Sequence, residues 1–287
     1  MTTLNEAVHW SMELGGGTRV ALIQAGRFRS DAGALLGVVP RMMWQSLVAG
    51  EIDADGRLLQ ALNCLLIETP SGRALVETGI GDRISAKGRE MRQYEGPWIV
   101  PALEAAGFAP NSVDAVAVSH LHYDHAGGVL RADGSLAFPR AKFVAQLAEW
   151  EIALGLNPRL IASYDQPELR LIRDLGLQSA AEGEVEILPG VSVFPTGGHS
   201  AGHQGVLVRG RDVTVGFFGD LCMRPWSANP KWVTAFDDFP LDSVSVKADL
   251  FARAAAECWT MVLSHEPFHP VGCLVRDRDR YSFEASV

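Results

Sequence analysis

Three histidines and an aspartate fall within six positions of the run Ser119-His120-Leu121-His122-Tyr123-Asp124-His125-Ala126-Gly127-Gly128. The segment before it, Asp114-Ala-Val-Ala-Val118, is short, apolar and valine-rich, which reads as a buried strand. A strand ending in such a run places its polar groups where α/β proteins hold their chemistry. The two-residue spacing aims His120 and His122 to one side if strand geometry persists, so both can clasp one ion. Asp124 and His125 follow and can face a second ion. Histidine and carboxylate together suit zinc, manganese or iron. A lone histidine is most often a satisfied polar group in a core; this cluster at a strand end fits that reading poorly.

The pattern His120-x-His122-x-Asp124-His125 resembles the signature of the metallo-β-lactamase superfamily of hydrolases. The resemblance implies an α/β fold, a four-layer αββα sandwich with a metal site at one edge. It covers the chain from about Arg19 to Phe283, and further pieces follow in the expected order. Pro195-Thr-Gly-Gly-His199-Ser-Ala-Gly-His203 follows a strand-like run, Asp220 ends the apolar run Val213–Phe218, and His265 follows Met261-Val-Leu-Ser264. By resemblance, His120, His122 and His199 hold a first metal; Asp124, His125 and His265 hold a second; Asp220 bridges them. His203 and His269 stay outside the ligand set, and so does Cys222. Two divalent ions per chain are implied, zinc foremost, with iron, manganese or cobalt as alternatives. Asp124 and Asp220 are the implied catalytic carboxylates. At Glu77-Thr78-Gly79 the family usually carries Asp-x-Gly, so the longer side chain puts the supporting role of that position in question.

The rest of the chain bounds the answer. Its 287 residues are 47% hydrophobic and 21% charged, an ordinary globular composition, read as one domain over 1–287. The formal net charge is −9 and there is no lysine- or arginine-rich block, which argues against a nucleic-acid surface. An acidic surface leaves small anionic substrates open, because bound metals would set the local potential. The four cysteines are scattered with no C-x-x-C pair, which fits a reducing cytoplasm. Met1–Glu6 shows no basic segment leading into an apolar run, and no apolar stretch approaches the ~20 residues of a membrane span. A small-molecule substrate is expected, and a homodimer is compatible with the sequence.

Coarse patterning predicts strands at residues 19–24, 58–68, 73–78, 114–118, 141–145, 185–188, 191–194, 213–218 and 261–264, and a strand with a turn over 272–283. Helices are predicted at 99–106, 146–154, 168–177 and 241–258. The glycine-rich, apolar segment 25–40 is expected to fold back near the metals, and Trp226 and Trp232 to wall the pocket. Segments 26–44 and 155–183 are the candidates for specificity.

The resemblance implies a hydrolase in which a metal-bridging hydroxide attacks a carbonyl or phosphoryl centre. A lactone or carboxylic ester is the expected substrate, in the manner of an acyl-homoserine-lactone lactonase, with phosphotriester hydrolysis as a side activity. A thioester hydrolase of glyoxalase II type is the alternative, although the C-terminal helical domain of that type is not evident. A mononuclear-iron oxygenase of the same fold is a second alternative, and it would need neither Asp124 nor His265. A non-catalytic member of the fold would be expected to lose ligands, and none is missing.

Overall fold

The computed structural model of the chain describes residues 7–155, 157–176, 178–278 and 280–286. The N-terminal stretch Met1–Glu6 and Leu177 lie outside the described residues. Two seven-stranded sheets run in sequence order. The first comprises β1 (Val8–Gly15), β2 (Thr18–Asp31), β3 (Arg57–Thr69), β4 (Gly72–Val76), β5 (Ala115–Ala117), β6 (Lys142–Gln146) and β7 (Gln178–Ala181). The second comprises β8 (Val185–Leu188), β9 (Val191–Pro195), β10 (Gln204–Arg209), β11 (Thr214–Phe217), β12 (Thr260–Val262), β13 (Val271–Asp277) and β14 (Arg280–Ala285). Pairing is antiparallel except along β4-β5-β6-β7 and between β11 and β12, which are parallel. Those parallel strands end on the side where the ligand-type residues gather.

Alternation along the strands builds four layers. On β2, Val20 and Leu22 face the second sheet while Ala21 and Ile23 face outward; on β5, Ala115 and Ala117 face inward and Val116 outward. The inward set meets Val191, Val193, Val206, Val208, Val215, Phe217 and Val262 of the second sheet. A period of two thus gives each strand two buried faces, and the runs read as nearly continuous apolar sequence. The outer face of the first sheet is covered by α4 (Ile99–Ala105), α6 (Leu147–Ala153) and α7 (Gln166–Asp174), through Ile99, Leu103, Trp150, Leu169 and Ile172. The second sheet is covered by α8 (Pro240–Ala256), whose Phe251 and Ala254 pack on Met261, Trp259 and Leu207. Each buried Leu, Ile, Val or Phe contributes roughly 1.5–3 kcal/mol of transfer free energy. This is the αββα sandwich expected from the sequence.

Three strands, β1, β7 and β10, escape the sequence reading, and the single strand and turn expected over 272–283 are two paired strands, β13 and β14. The largest difference lies at residues 25–40. Here β2 continues through a bulge between Gln24 and Arg27 as far as Asp31, so half of the expected loop is strand. The Asp31 carboxylate then accepts from Ala34 N at 2.7 Å and starts α1 (Ala32–Leu36). Gly37 ends α1 at φ 53°, ψ −120°, where a side-chain Cβ would lie 2.3 Å from the Val233 carbonyl oxygen. Trp226 and Trp232 do not wall the metal pocket as expected. They are not among the residues lining that pocket and pack instead against the buried cluster that includes Leu35, Leu36, Val39 and Trp44.

Gly37 is therefore a closure point between residues 32–39 and 233–235, where Ala235 N also donates to Ala34 O at 2.8 Å. Gly37→Ala is expected to cost about 1–3 kcal/mol, from backbone strain and the close approach, and to lower the thermal midpoint by several degrees. A melting curve superimposable on that of the unmodified protein would show that the segment accommodates the methyl group.

Candidate metal centre

Four loops converge at the seam between the sheets. β5 ends directly into Ser119-His120-Leu121-His122, and α5 (Tyr123–Ala126) carries Asp124 and His125. The β9–β10 connection supplies His199, the 3-10 turn after β11 supplies Asp220, and the turn after β12 supplies His265. The two sheets are tied together here by backbone. Ala61 N and Asn63 N of β3 donate to His265 O and Ser264 O, both at 3.1 Å, and Gln204 N donates to Ser119 O at 2.8 Å. The Asn63 amide adds bonds to Leu263 O (2.9 Å) and Glu266 O (2.8 Å).

All seven residues singled out from the sequence come together. His120 Nε2 lies 2.8 Å from His122 Nδ1, and His199 Nε2 lies 3.3 Å from the same atom. Asp220 Oδ1 is 3.3 Å from His125 Nε2 and 3.0 Å from His265 Nε2, while its Oδ2 faces His199 Nε2 at 3.5 Å. Asp124 is 3.9 Å from both His125 Nε2 and His265 Nε2. Three overlapping groups result: His120-His122-His199, His120-His125-Asp220 and Asp124-His125-His265, each with ligand-type atoms within 4.8 Å of one another. Of the remaining histidines, His203 turns its Nδ1 to Thr196 Oγ1 at 2.6 Å, and His269 is exposed. Cys222 is buried elsewhere, in the cluster under α8.

The arrangement suits bound cations. Burial, then the neighbouring histidines, push His120 and His122 well below the usual imidazole range, so both rings are neutral and turn lone pairs toward a common point. The outer nitrogens are held in place. His199 Nδ1 donates to Asp237 Oδ1 at 2.9 Å, His265 Nδ1 to Ala61 O at 2.8 Å, and His125 Nδ1 points at Glu77 Oε1, 3.3 Å away. Each of these contacts favours a proton on Nδ1, so that with an ion bound Nε2 would be the ligand atom on the inner side. Burial opposes charge on His125, but Asp220, Glu77 and Asp124 outweigh it and raise its pKa. Asp220 is held well below the carboxylate range despite its burial, chiefly by His125 and His265. A set of nitrogen and oxygen donors with this outer support can hold zinc, iron, manganese or cobalt.

Glu77 takes up the position in question. It sits at φ 66° and is 3% exposed; its Oε1 accepts from Ser119 N at 3.0 Å as well as facing His125. The left-handed backbone accompanies the longer side chain, which still reaches the histidine ring. The sequence reading missed two supporting carboxylates. Asp237, bonded to His199 and to Thr234 Oγ1 at 2.8 Å, lies 38 residues from its histidine. Glu149 lies on α6 among helical apolar residues, where nothing local marks it.

A family model of the Metallo-beta-lactamase superfamily matches residues 59–265, the span from β3 to the last histidine of the cluster. The chain belongs to the metallo-beta-lactamase superfamily. Among superfamily members, it is 32% identical over 158 residues to an N-acyl homoserine lactonase of Bacillus cereus, a match covering 50% of this chain and 57% of that one. It is 30% identical over 166 residues to the N-acyl homoserine lactonase AttM of Azorhizobium caulinodans, covering 50% and 58% respectively. The match thus spans little more than half the length of these relatives. In fold, the chain is similar to a probable metal-dependent hydrolase from Staphylococcus aureus, with TM-score 0.85, 23% identity, and coverage of 96% and 100%. It is also similar to AidC, described as a dizinc quorum-quenching lactonase, with TM-score 0.82, 17% identity, and 97% of both chains covered.

The pocket over the cluster is lined by Phe28, Leu35, Gln60, Tyr123, Ser163 and Phe236. Tyr123 is shared with a second cavity of about 440 Å³, bounded by Arg83, Arg92, Tyr164, Asp165 and Glu168. Arg92 stacks on the Tyr123 ring at 4.4 Å. Burial, then Asp165, pushes the Glu168 carboxyl up to about 8, with Arg83 pulling it back. The folded chain thus holds this proton across pH 4.5 to 8, where an unfolded chain has lost it, so this group's contribution to stability falls as pH rises through that window. Glu168→Gln is expected to flatten the decline of the thermal midpoint between pH 5 and 8. Equal slopes in the two proteins would contradict a buried, protonated Glu168.

Proposed function

We propose that this chain is a hydrolase of carboxylic esters, lactones foremost, that works with two divalent metal ions, zinc as the first choice. The single observation that carries the reading is the position of Asp220. One of its oxygens serves the His125–His265 side and the other the His199 side, so one carboxylate spans two ligand sets. In this reading His120, His122 and His199 hold one ion, and Asp124, His125 and His265 hold the other. A mononuclear-iron oxygenase would leave Asp124 and His265 without a task. The N-acyl homoserine lactonase relatives support the choice of a lactone. Bound there, the ions would polarise the ester carbonyl and make a water acidic enough to attack near neutral pH.

The chain's own residues do the rest. Phe28, Leu35 and Phe236 form an apolar wall beside the ligand residues, suited to an acyl chain. The Asp124 side chain, 15% exposed, is the more open of the two central carboxylates. It faces the pocket, where it can take the proton of the attacking water and return it to the leaving alkoxide. Asp220 stays ionised and orients the histidines on both sides. Tyr123, between the pocket and the second cavity, is placed to contact the part of the substrate remote from the ester. Phosphotriester hydrolysis is the side activity this geometry allows, since the same groups can orient a phosphoryl oxygen.

Two experiments test this. Elemental analysis of purified protein, paired with hydrolysis assays on an aliphatic lactone, an aryl ester, a thioester and a phosphotriester, should give about two metals per chain and highest turnover on the lactone. One iron per chain without hydrolysis would replace the reading with the oxygenase. Separately, Asp124→Asn should lower kcat by about 10²-fold or more, the range for loss of a general acid–base group, with a smaller change in KM. An unchanged kcat with full metal content would remove Asp124 from the chemistry.

A further inference from the structure

One carboxylate outside the ligand set touches both loops that carry the three-histidine group. Glu149 is fully buried in the first turn of α6. Its Oε1 accepts from Leu121 N, the amide between His120 and His122, at 3.0 Å, and from the Tyr164 hydroxyl at 3.2 Å. Its Oε2 accepts from Ser200 Oγ at 2.5 Å and from Gly202 N at 3.2 Å, both in the loop that carries His199. Tyr164, tethered by this bond, lays its ring against His122 with centroids 4.8 Å apart. Four donors from three segments, separated by up to 81 positions, end on one side chain. The approach is close enough that a Cβ on Gly202 would stand 2.1 Å from Glu149 N, so only glycine fits there.

A fully buried carboxylate is costly unless its oxygens are bonded, and these four bonds satisfy it. The dependence runs both ways: the loops lose their common acceptor if the carboxylate is removed. None of its partners is a ligand-type atom, yet each lies within three positions of a ligand histidine or against its ring. We infer that Glu149 is a positioning residue that sets the spacing of His120, His122 and His199 before any ion arrives. It closes the β5 loop and the β9–β10 loop onto the same helix end. The inference rests on the reading of these three histidines as a metal site.

The test uses zinc itself. Metal-free full-length protein is titrated with zinc in competition with a chromophoric chelator, and amide hydrogen exchange is followed at Leu121 and Gly202. Glu149→Gln keeps one carbonyl oxygen but turns an NH₂ group toward two of the donors. It should weaken zinc binding by about 10- to 100-fold, the range for loss of an outer orienting group, and speed exchange at those two amides. Trp150→Phe, a core change one residue away, is the control for general destabilisation. It should lower the thermal midpoint without a matching loss of zinc affinity. If Glu149→Gln does not fold, the double variant Tyr164→Phe/Ser200→Ala removes two of the four donors, and a several-fold weaker zinc affinity is expected. Unchanged zinc affinity in the folded Glu149 variant, or in the double variant, overturns the proposal. So does a Trp150→Phe protein that loses zinc as readily. Unmodified protein that takes up no zinc, manganese, iron or cobalt would instead sink the metal-site reading on which this rests.

Discussion

The rest of the structure depends on burying five imidazoles and the Asp220 carboxylate at the seam between two sheets. Each of those groups costs free energy when taken out of water, and more so when it faces another like itself. The fold meets that cost by surrounding the cluster with fixed partners: Glu77 on His125, Asp237 on His199, the Ala61 carbonyl on His265. Those partners must be rigid, which explains why β3 reaches across to bond the turn after β12 with its backbone and with Asn63. The valine-rich core between the sheets does more than stabilise. It holds the ends of β5, β9, β11 and β12 together, so that four loops deliver their side chains to a space only a few ångströms wide.

How much of this was legible in the sequence follows from the range of each interaction. Asp220 and His265 were legible because each closely follows an apolar run, His120, His122, Asp124 and His125 as a dense cluster at a strand end, and His199 between glycines past a strand; their roles as ligands came from the family resemblance. The hairpin of β3 and β4 and the helices α4, α6, α7 and α8 were legible from local patterns too. β10 was not, because it starts immediately after His203 with Gln204 and Gly205, and only Val206–Val208 carries the apolar signal. β1 was hidden by its mixed composition and the triple glycine that follows it. The second half of β2 reads as a loop because Gly26 interrupts the apolar run and the polar residues Arg27, Arg29, Ser30 and Asp31 follow, while the backbone uses a bulge to continue the strand.

The supporting carboxylates show the limit most clearly. Glu149 and Asp237 find their partners through the packing of α6 and the loop before α8, over separations of 15 to 53 residues for Glu149 and of 38 for Asp237 and its histidine. No periodicity encodes such a meeting. Glu77 is the intermediate case. Its place after β4 was legible, but whether a glutamate could serve there depended on a backbone angle, φ 66°, that sequence does not display.

The same logic separates the two sides of the cleft. On one side the closing segment 32–39 presents Leu35, with Phe28 and Phe236 beside it, and its position depends on Gly37 and on contacts with residues 233–235. On the other side, past Tyr123, the walls carry Arg83, Arg92, Asp165 and Glu168. A substrate spanning the centre would meet an apolar surface on one arm and a charged one on the other. Nearby, Arg224, which is 2% exposed, joins Glu51, the Leu59 carbonyl and Glu266. Glu266 is the neighbour of His265, so Glu51, β3 and one end of the ligand set meet on one guanidinium. Breaking a buried pair of this kind by removing one partner costs about 3–5 kcal/mol, because it leaves an uncompensated charge. Glu51 and Arg224 are therefore part of the scaffold that places His265, and changes at either carry a cost at the centre itself.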